Sequence, residues 1–185
     1  DGQCSVPSDL ANVVAISAGA QQSFALKADR TVVGWGATST QPLVPASLGR
    51  VHAIATRGFL NLALRENGEV VSWTESQALQ VLMRDVVAIA AGGAHGLALK
   101  VDGTVADWGA IGTAGVAPVP SALTGIVAVG AGLNQSYCVR TDGSVFSPGY
   151  NGQVHSDIAL LTKVVAITGG RNAGVALFEP EPPSF

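Results

Sequence analysis

The chain has 185 residues, and because 48% of them are hydrophobic it can bury a sizeable core within one domain. Only 12% of the residues are charged, the formal net charge is −3, and no run of Lys or Arg could hold a phosphate backbone, so we expect no nucleic-acid partner. The apolar residues fall in short Val/Ala/Leu segments broken by glycine, and we expect no membrane span.

Residues 1–12 resemble the end of a repeat unit rather than the start of one. A Val-Pro pair lies seven residues before a Val/Ile/Ala-rich segment at three places in the chain: Val6-Pro7, Val44-Pro45 and Val119-Pro120. We therefore interpret residues 1–12 as the second half of a unit without its first half.

A repeated unit follows, with starts 35 to 40 residues apart at Val13, Val51, Val86, Ile126 and Val164. Such spacing is typical of solenoids, propellers and other arrays in which each unit covers apolar surface of its neighbour. One position holds alanine in all five units: Ala15, Ala53, Ala88, Ala128 and Ala166. Because strands crowd near the axis of such an array, we expect these alanines to be almost fully buried.

Each unit contains an apolar strand, a glycine-rich bend, a second strand, a tight turn and a third strand. In the third unit the sequence is VVAIAAGGAHGLALKVDGTVADWG, from Val86 to Gly109. Asp-Gly or Asn-Gly between alternating segments predicts a β-hairpin, because glycine readily adopts a positive φ. The first unit has Asp29-Arg30 at this turn, so we expect a strained or differently shaped turn there. The turn aspartates should serve the backbone rather than catalysis.

Three units depart from the pattern. In the second, residues 74–85 lack the Val-Pro pair and read almost as a helix. The fourth has Pro148 where the first three have tryptophan, which removes a hydrogen-bond donor and predicts an edge or a broken third strand. The fifth begins at Val164 and ends in the proline-rich residues 179–185, so we interpret it as a first half-unit followed by a tail.

The two cysteines and the first residue are the features of the sequence that relate to the cellular location of the protein. Cys138 stands where the other units have alanine, so we interpret it as a small core residue. Cys4 lies in the N-terminal segment, and pairing of the two in a disulfide is left open. The sequence starts at Asp1 without a signal peptide, which we interpret as a processing or cloning cut. Localisation is undetermined, with a secreted or cell-surface location favoured.

The pattern VVAIxAGxxHxLALKxDGTVxxWG, followed by GQxxVP, resembles the regulator-of-chromosome-condensation-like repeat family, in the short bacterial form of the beta-lactamase-inhibitor propeller. The resemblance covers nearly the whole chain and is weakest over residues 74–85 and 145–163. It implies an all-β fold, a β-propeller whose units form blades around a central axis. In the inhibitor propeller the matching loops carry aromatic contacts to the enzyme. Here only Phe59 is aromatic, so tight inhibition of that kind is not implied.

We expect a single β-propeller domain over residues 1–178. Four whole units and two halves make about five blades if the N- and C-terminal segments share the last blade. The segment around Cys4 would then supply an outer strand beside Val164–Phe178. The alternative is a fragment of a larger propeller, since complete members of the family usually have seven blades. A last blade without its third strand would also leave an edge that a second copy could cover.

Little in the sequence points to catalysis. His52, His95 and His155 fall at different positions of the unit and lack metal-ligand spacing, so we expect no metal site. A nucleophile elbow, a P-loop and a dinucleotide fingerprint are absent, and the glycines at 130 and 132 are interpreted as a strand end. We therefore expect no enzymatic activity and no cofactor.

The better functional candidate is the set of bends between the first and second strands. Equivalent bends should gather on one face, and variable loops on a rigid scaffold are how binding surfaces are built. The candidate binding residues are Gln21, Gln22, Phe59, Leu60, His95, Asn134, Gln135, Arg171 and Asn172. We expect Phe59 and Leu60 to be exposed on the same face as His95 and Asn134.

These features favour a non-enzymatic protein-binding module whose protein partner the sequence does not identify. The alternatives are a carbohydrate-binding, lectin-like propeller and a structural domain that self-assembles through its incomplete blade. Repeated sugar pockets would need the same polar and aromatic set in each bend, and the bends differ from one another.

Overall fold

A computed structural model of the chain describes residues 2–36, 43–74, 78–109, 111, 116–148, 158–171 and 173–180. Within them the chain forms fifteen β-strands and one short 3₁₀ helix, Ile158–Leu160. The strands are β1 (Val13–Ala18), β2 (Gln22–Lys27), β3 (Val32–Gly36), β4 (Val51–Arg57), β5 (Leu60–Arg65), β6 (Val70–Trp73), β7 (Gln80–Met83), β8 (Val86–Ala91), β9 (His95–Lys100), β10 (Val105–Gly109), β11 (Ile126–Ala131), β12 (Ser136–Arg140), β13 (Val145–Phe146), β14 (Val164–Gly169) and β15 (Gly174–Phe178).

Each repeat unit forms one antiparallel sheet, or blade. The sheets have the strand orders β1-β2-β3, β4-β5-β6-β7, β8-β9-β10, β11-β12-β13 and β14-β15. The first strand of each blade begins at the first residue of its unit, and we call these five strands the inner strands. Successive inner strands lie beside one another and together line a central channel of about 230 Å³. The predicted all-β propeller is therefore confirmed.

The core lies between blades rather than within them. Four apolar clusters fill the four spaces between successive blades, and each joins the second strand of one blade to the inner strand of the next. Phe24 and Leu26 of the first blade, for example, pack with Val51 of the second. Cys138 lies wholly buried in one cluster as a free thiol, as predicted for a small core residue. Cys4 is exposed and also free.

The alanine position of the inner strands is less buried than predicted. Ala53, Ala88 and Ala128 are half-buried, whereas Ala15 and Ala166 are exposed, so this prediction is wrong. Each alanine follows a β-bulge at the start of its inner strand, and the densest packing lies at the second strands instead. Complete burial therefore does not explain the alanine at this position.

The hairpin turn of each unit fixes the next blade. The carbonyl of the left-handed turn residue accepts a hydrogen bond from the first N–H group of the next inner strand in four places: Arg30 from Val51 (3.0 Å), Gly68 from Val86 (3.2 Å), Gly103 from Ile126 (3.1 Å) and Gly143 from Val164 (3.1 Å). Arg30 has φ of +70°, close to the +80° of Gly68. The predicted strain is therefore confirmed, because Arg30 adopts the left-handed conformation that glycine adopts at the equivalent turns.

Aspartates stabilise three of these four hairpin turns. Asp29 Oδ1 accepts hydrogen bonds from the Thr31 hydroxyl (2.6 Å) and backbone N–H (3.0 Å). Asp102 and Asp142 accept equivalent pairs from Thr104 and Ser144. These bonds favour the ionised carboxylate, and they lower the pKa of Asp29 to about 2 and depress that of the other two.

Two departures from the repeat have structural outcomes. Residues 80–83, predicted to read almost as a helix, form β7, which pairs with β6 as a fourth strand. Pairing with an open sheet edge outweighs local propensity in so short a segment. The third strand of the fourth blade is broken as predicted, because β13 spans only Val145–Phe146 and ends before Pro148.

The N-terminal segment packs on the first blade. The Gln3 carbonyl accepts hydrogen bonds from Trp35 Nε1 (2.9 Å) and Ser23 Oγ (3.2 Å). In the described part of the chain, the last sheet contains only β14 and β15. The prediction that the segment around Cys4 supplies a strand to the last blade is therefore wrong.

The reason is the tryptophan of the third strand. Its indole N–H needs an acceptor, and the segment that precedes a unit provides one to that unit. The Leu43 carbonyl accepts from Trp73 Nε1 at 2.9 Å, as Gln3 accepts from Trp35. Residues 2–12 therefore belong with the first blade, as residues 43–50 belong with the second.

Replacing Arg30 by glycine should stabilise the protein. An L-residue in the left-handed region destabilises the folded state by roughly 1–2 kcal/mol, which glycine would relieve. Glycine also has more conformational freedom in the unfolded chain, and this offsets about half of the gain in stability. The Arg30–Glu66 ion pair is exposed and long, at 3.7 Å, and contributes little. We expect Arg30→Gly to raise the free energy of unfolding by up to about 1 kcal/mol in chemical denaturation.

The reciprocal change is the control. A Cβ on Gly68 would meet no atom closer than 3.7 Å, so Gly68→Arg should destabilise through its backbone alone. If Arg30→Gly and Gly68→Arg changed the free energy of unfolding in the same direction and by the same amount, the backbone of Arg30 would not be strained.

The turn aspartates predict a loss of stability in acid. Because folding lowers their pKa, the stabilisation is present above the ordinary pKa of about 4 and is lost as pH falls towards 2. We expect Asp29→Asn to lose less stability than the parent chain between pH 5 and pH 2.5, measured by urea unfolding. Thr31→Val keeps the backbone N–H bond and should show an intermediate loss. If both variants lost as much stability in acid as the parent chain, the hydrogen bonds of Asp29 would not be the cause of the loss.

Candidate functional site on the bend face

The bends between the inner and second strands lie side by side at one end of the blades. We call this surface the bend face, and it comprises residues 19–21, 58–59, 92–94, 132–135, 170–171 and 173. Ala20 N–H donates to the Gly58 carbonyl, Gly93 N–H to the Leu133 carbonyl and Leu133 N–H to the Gly170 carbonyl, each at 3.0 Å. Backbone hydrogen bonds thus join the bends of the first and second blades to each other, and those of the third, fourth and fifth blades to one another.

The structure places the nine predicted binding residues in three environments. Gln21, Phe59 and Arg171 are exposed, Leu60, Asn134 and Gln135 are half-buried, and Gln22 and His95 are buried. Asn172 lies outside the described residues. The expectation that Gln22 and His95 lie on accessible loops is therefore wrong. The second strands begin at these residues, earlier than the glycine pattern predicts, and their side chains point into the spaces between blades.

Gln22 forms a polar link between the first two blades. Its side-chain Nε2 donates to Oδ1 of Asn61 at 2.7 Å, and both residues are buried. Asn61 was missed by the sequence reasoning. Its signal is that an amide occupies a position where the other units have only serine or glycine: Ser23, Gly96, Ser136 and Gly174.

His95 makes the equivalent link between the third and fourth blades. Its Nε2 lies 3.2 Å from Oγ of Ser136, whereas Nδ1 has no hydrogen-bond partner. Burial lowers the pKa of His95, so the imidazole is neutral at pH 7. Because neither His95 nor Ser136 has appreciable exposed surface, no substrate can reach this Ser–His pair, and its arrangement is that of an inter-blade contact.

Phe59 is the most prominent apolar side chain of the bend face. It follows Gly58 in the two-residue bend of the second blade, and 63% of its surface is exposed. Together with Gln22, Asn61 and Thr74 it lines a cleft of about 340 Å³. The cleft thus has an aromatic ring at its rim and the paired amides at its base.

Arg57 crosses the central channel. It stands where the other units have glycine at the end of the inner strand, and its Nη1 donates to the Gly169 carbonyl at 2.8 Å. This bond ties the second blade to the fifth. Arg57 is therefore a structural cross-link. The sequence shows that arginine replaces glycine at this position of the repeat, but it does not show that the Gly169 carbonyl accepts its hydrogen bond.

No group of three His, Cys, Asp or Glu residues that could hold a metal ion occurs among the described residues. Nor does that part of the chain contain a helix with the length and hydropathy to span a membrane.

Solved structures share this fold. No family model and no curated protein sequence matches the chain. Human WBSCR16 matches 94% of the chain with a TM-score of 0.73 and 18% identity. Yeast RCC1 (Prp20), solved with Kap60 bound, matches 90% with a TM-score of 0.67 and 20% identity. The CRINKLY WD40 ectodomain of the Arabidopsis thaliana receptor kinase ACR4 matches 95% with a TM-score of 0.68 and 20% identity.

These similarities identify the fold as an RCC1-like β-propeller. The match covers 60%, 54% and 64% of the three structures, in that order, so the chain spans between about half and two thirds of their length. The resemblance deduced from the repeat positions is thereby confirmed at the level of the fold.

The buried amide pair should couple the first two blades energetically. Gln22→Met keeps the side-chain volume but leaves the Asn61 amide unpaired, which we expect to cost about 1–3 kcal/mol in the free energy of unfolding. Asn61→Leu should cost a similar amount. The double variant removes both polar groups and should cost clearly less than the sum of the single changes. Additive costs in urea denaturation would show that the two side chains do not stabilise each other.

Proposed function

We propose that this chain is a non-enzymatic, protein-binding propeller module that contacts its partner through the bend face. The observation that carries the proposal is the exposed Phe59 ring at the rim of the cleft over Gln22 and Asn61. Exposed aromatic side chains held on a rigid scaffold are the usual energetic centre of a protein interface. Yeast RCC1 (Prp20), a propeller of this fold, has been solved bound to Kap60.

The surroundings of Phe59 support a protein partner. Gln21 and Arg171 are exposed on the same face and would form a polar rim around the apolar contact. Arginine and aromatic residues are the types enriched at such interfaces. A carbohydrate partner is less well supported, because the five bends present different side chains rather than one repeated set.

The proposal predicts that Phe59 dominates binding. The immobilised chain would first be used to capture partners from an extract of the source organism, and each partner would then be titrated by calorimetry. We expect Phe59→Ser to weaken binding at least tenfold, which corresponds to about 1.4 kcal/mol. Because Phe59 is exposed, the change should leave the unfolding temperature nearly unchanged.

Val127→Ser is the matched control. Val127 is 52% exposed on the inner strand β11, away from the bends, so its replacement should not affect binding. A captured partner that binds the Phe59→Ser and parent chains equally would refute the role of the bend face. Binding to a glycan array that Phe59→Ser abolishes would favour the carbohydrate-binding alternative instead.

A further inference from the structure

The positive charges of the chain are distributed unequally between the two ends of the blades. All ten Lys and Arg residues lie in the described part of the chain, and only Arg57 and Arg171 lie at the bend end. Five of the other eight form ion pairs with Asp29, Glu66 or Glu69 at the hairpin-turn end. Arg57 and Arg171 form no ion pair with any residue that the structure describes.

The described residues of the bend face include no carboxylate that could neutralise these two arginines. Arg171 is exposed and is the only charged residue of the bend face. Arg57 ends its inner strand at the bend end of the channel, directly before Gly58 and Phe59. The other four units have uncharged residues at both of these positions of the repeat. The two positive charges are therefore particular to this surface and do not belong to the repeat pattern.

The hydrogen bond across the channel brings the two arginines to the same blade. Arg57 Nη1 donates to the Gly169 carbonyl, which precedes Arg171 by two residues. This carbonyl is a neutral acceptor, and the guanidinium group has further N–H donors in its planar fork. Arg57 is half-buried, so part of its surface remains open to solvent. A recess that carries charge of one sign attracts ligands of the opposite sign.

We propose that the partner of the bend face is an acidic polypeptide segment, with one of its carboxylates bound to Arg57 at the bend end of the channel. This inference rests on the proposed function and adds the chemistry of the partner. A guanidinium group and a carboxylate form short, charge-assisted hydrogen bonds, often as a parallel pair. Arg171 supplies a second positive charge, and Phe59 supplies an apolar contact two residues after Arg57. The segment therefore combines acidic with apolar side chains.

A carboxylate fits this surface better than the phosphate backbone of a nucleic acid. A nucleic acid is held by many cations that follow its phosphates, and two arginines are too few for such a track. The formal net charge of the whole chain is −3, so the chain as a whole repels polyanions. A single acidic side chain needs only the local donors that Arg57 provides.

The test uses two end-capped peptides that differ only in charge, a Glu-Glu-Leu repeat and a Gln-Gln-Leu repeat. In fluorescence anisotropy we expect the parent chain to bind the acidic peptide about tenfold more tightly than the neutral one. Because the chain is negatively charged overall, its net charge would not produce this preference. Added sodium chloride should weaken binding of the acidic peptide and leave binding of the neutral peptide unchanged.

Variants that remove one charge locate the site. We expect Arg57→Gln to weaken binding of the acidic peptide about tenfold, and Arg171→Gln, at an exposed position, about threefold. Thermal unfolding would show whether loss of the cross-link also destabilises Arg57→Gln, whereas Arg171→Gln should unfold like the parent chain. Arg50→Gln is the matched control, because it removes the same charge from an exposed side chain at the hairpin-turn end and should bind like the parent.

Several results would overturn the proposal. They are failure of the acidic peptide to bind, equal binding of the two peptides, and parental binding of the acidic peptide by Arg171→Gln. An equal loss of binding in Arg50→Gln would also overturn it, since it would show attraction to net charge rather than to a site. So would tighter binding of an oligothymidylate than of the acidic peptide, which would favour a nucleic acid.

The inference can fail without the proposed function. If Phe59→Ser weakens binding of a captured partner but Arg57→Gln and Arg171→Gln do not, the bend face binds a protein and the acidic partner is wrong. If none of the three variants weakens binding of any captured partner, the proposed function itself is wrong.

Discussion

The structure depends on one contact, the packing of two large side chains from the second strand of each blade onto the first residue of the next inner strand. Phe24 and Leu26 on Val51 are the first instance, and Tyr137 and Val139 on Val164 are the last. Full burial of one such side chain stabilises the fold by about 1.5–3 kcal/mol. A blade of two to four strands encloses no core of its own, so the blades stabilise one another through their neighbours.

Polar contacts set the position of each blade at its two ends. At one end, the carbonyl of the hairpin turn accepts a hydrogen bond from the first N–H group of the next inner strand, and Arg30 makes this bond from a left-handed conformation. At the bend end, Gln22 bonds Asn61 and His95 contacts Ser136. Apolar packing alone tolerates sliding, whereas these directed bonds fix how far one blade is displaced along the next.

The repeat was predictable because its packing positions recur, and the strands begin where the five units begin. Exposure was not predictable from the same pattern, since an alanine that recurs in all five units is exposed in the first and the fifth, as Ala15 and Ala166. The bend residues were assigned only in part. A polar side chain that opens a second strand, such as Gln22, resembles a loop residue until its partner on the neighbouring blade is known. The placement of residues 2–12 likewise depended on a hydrogen bond to Trp35, between positions far apart in sequence.

The buried amide pair also connects stability with the proposed binding surface. Phe59 sits in a bend of only two residues, and the neighbouring bend is held against it by the hydrogen bond from Ala20 to Gly58. Gln22 and Asn61, which line the same cleft as Phe59, join these two blades by their hydrogen bond. A partner that packs on Phe59 would therefore meet a preformed cleft and would spend little free energy on ordering it. Loosening the contact between the first two blades should reduce affinity even where no residue of the cleft surface is changed.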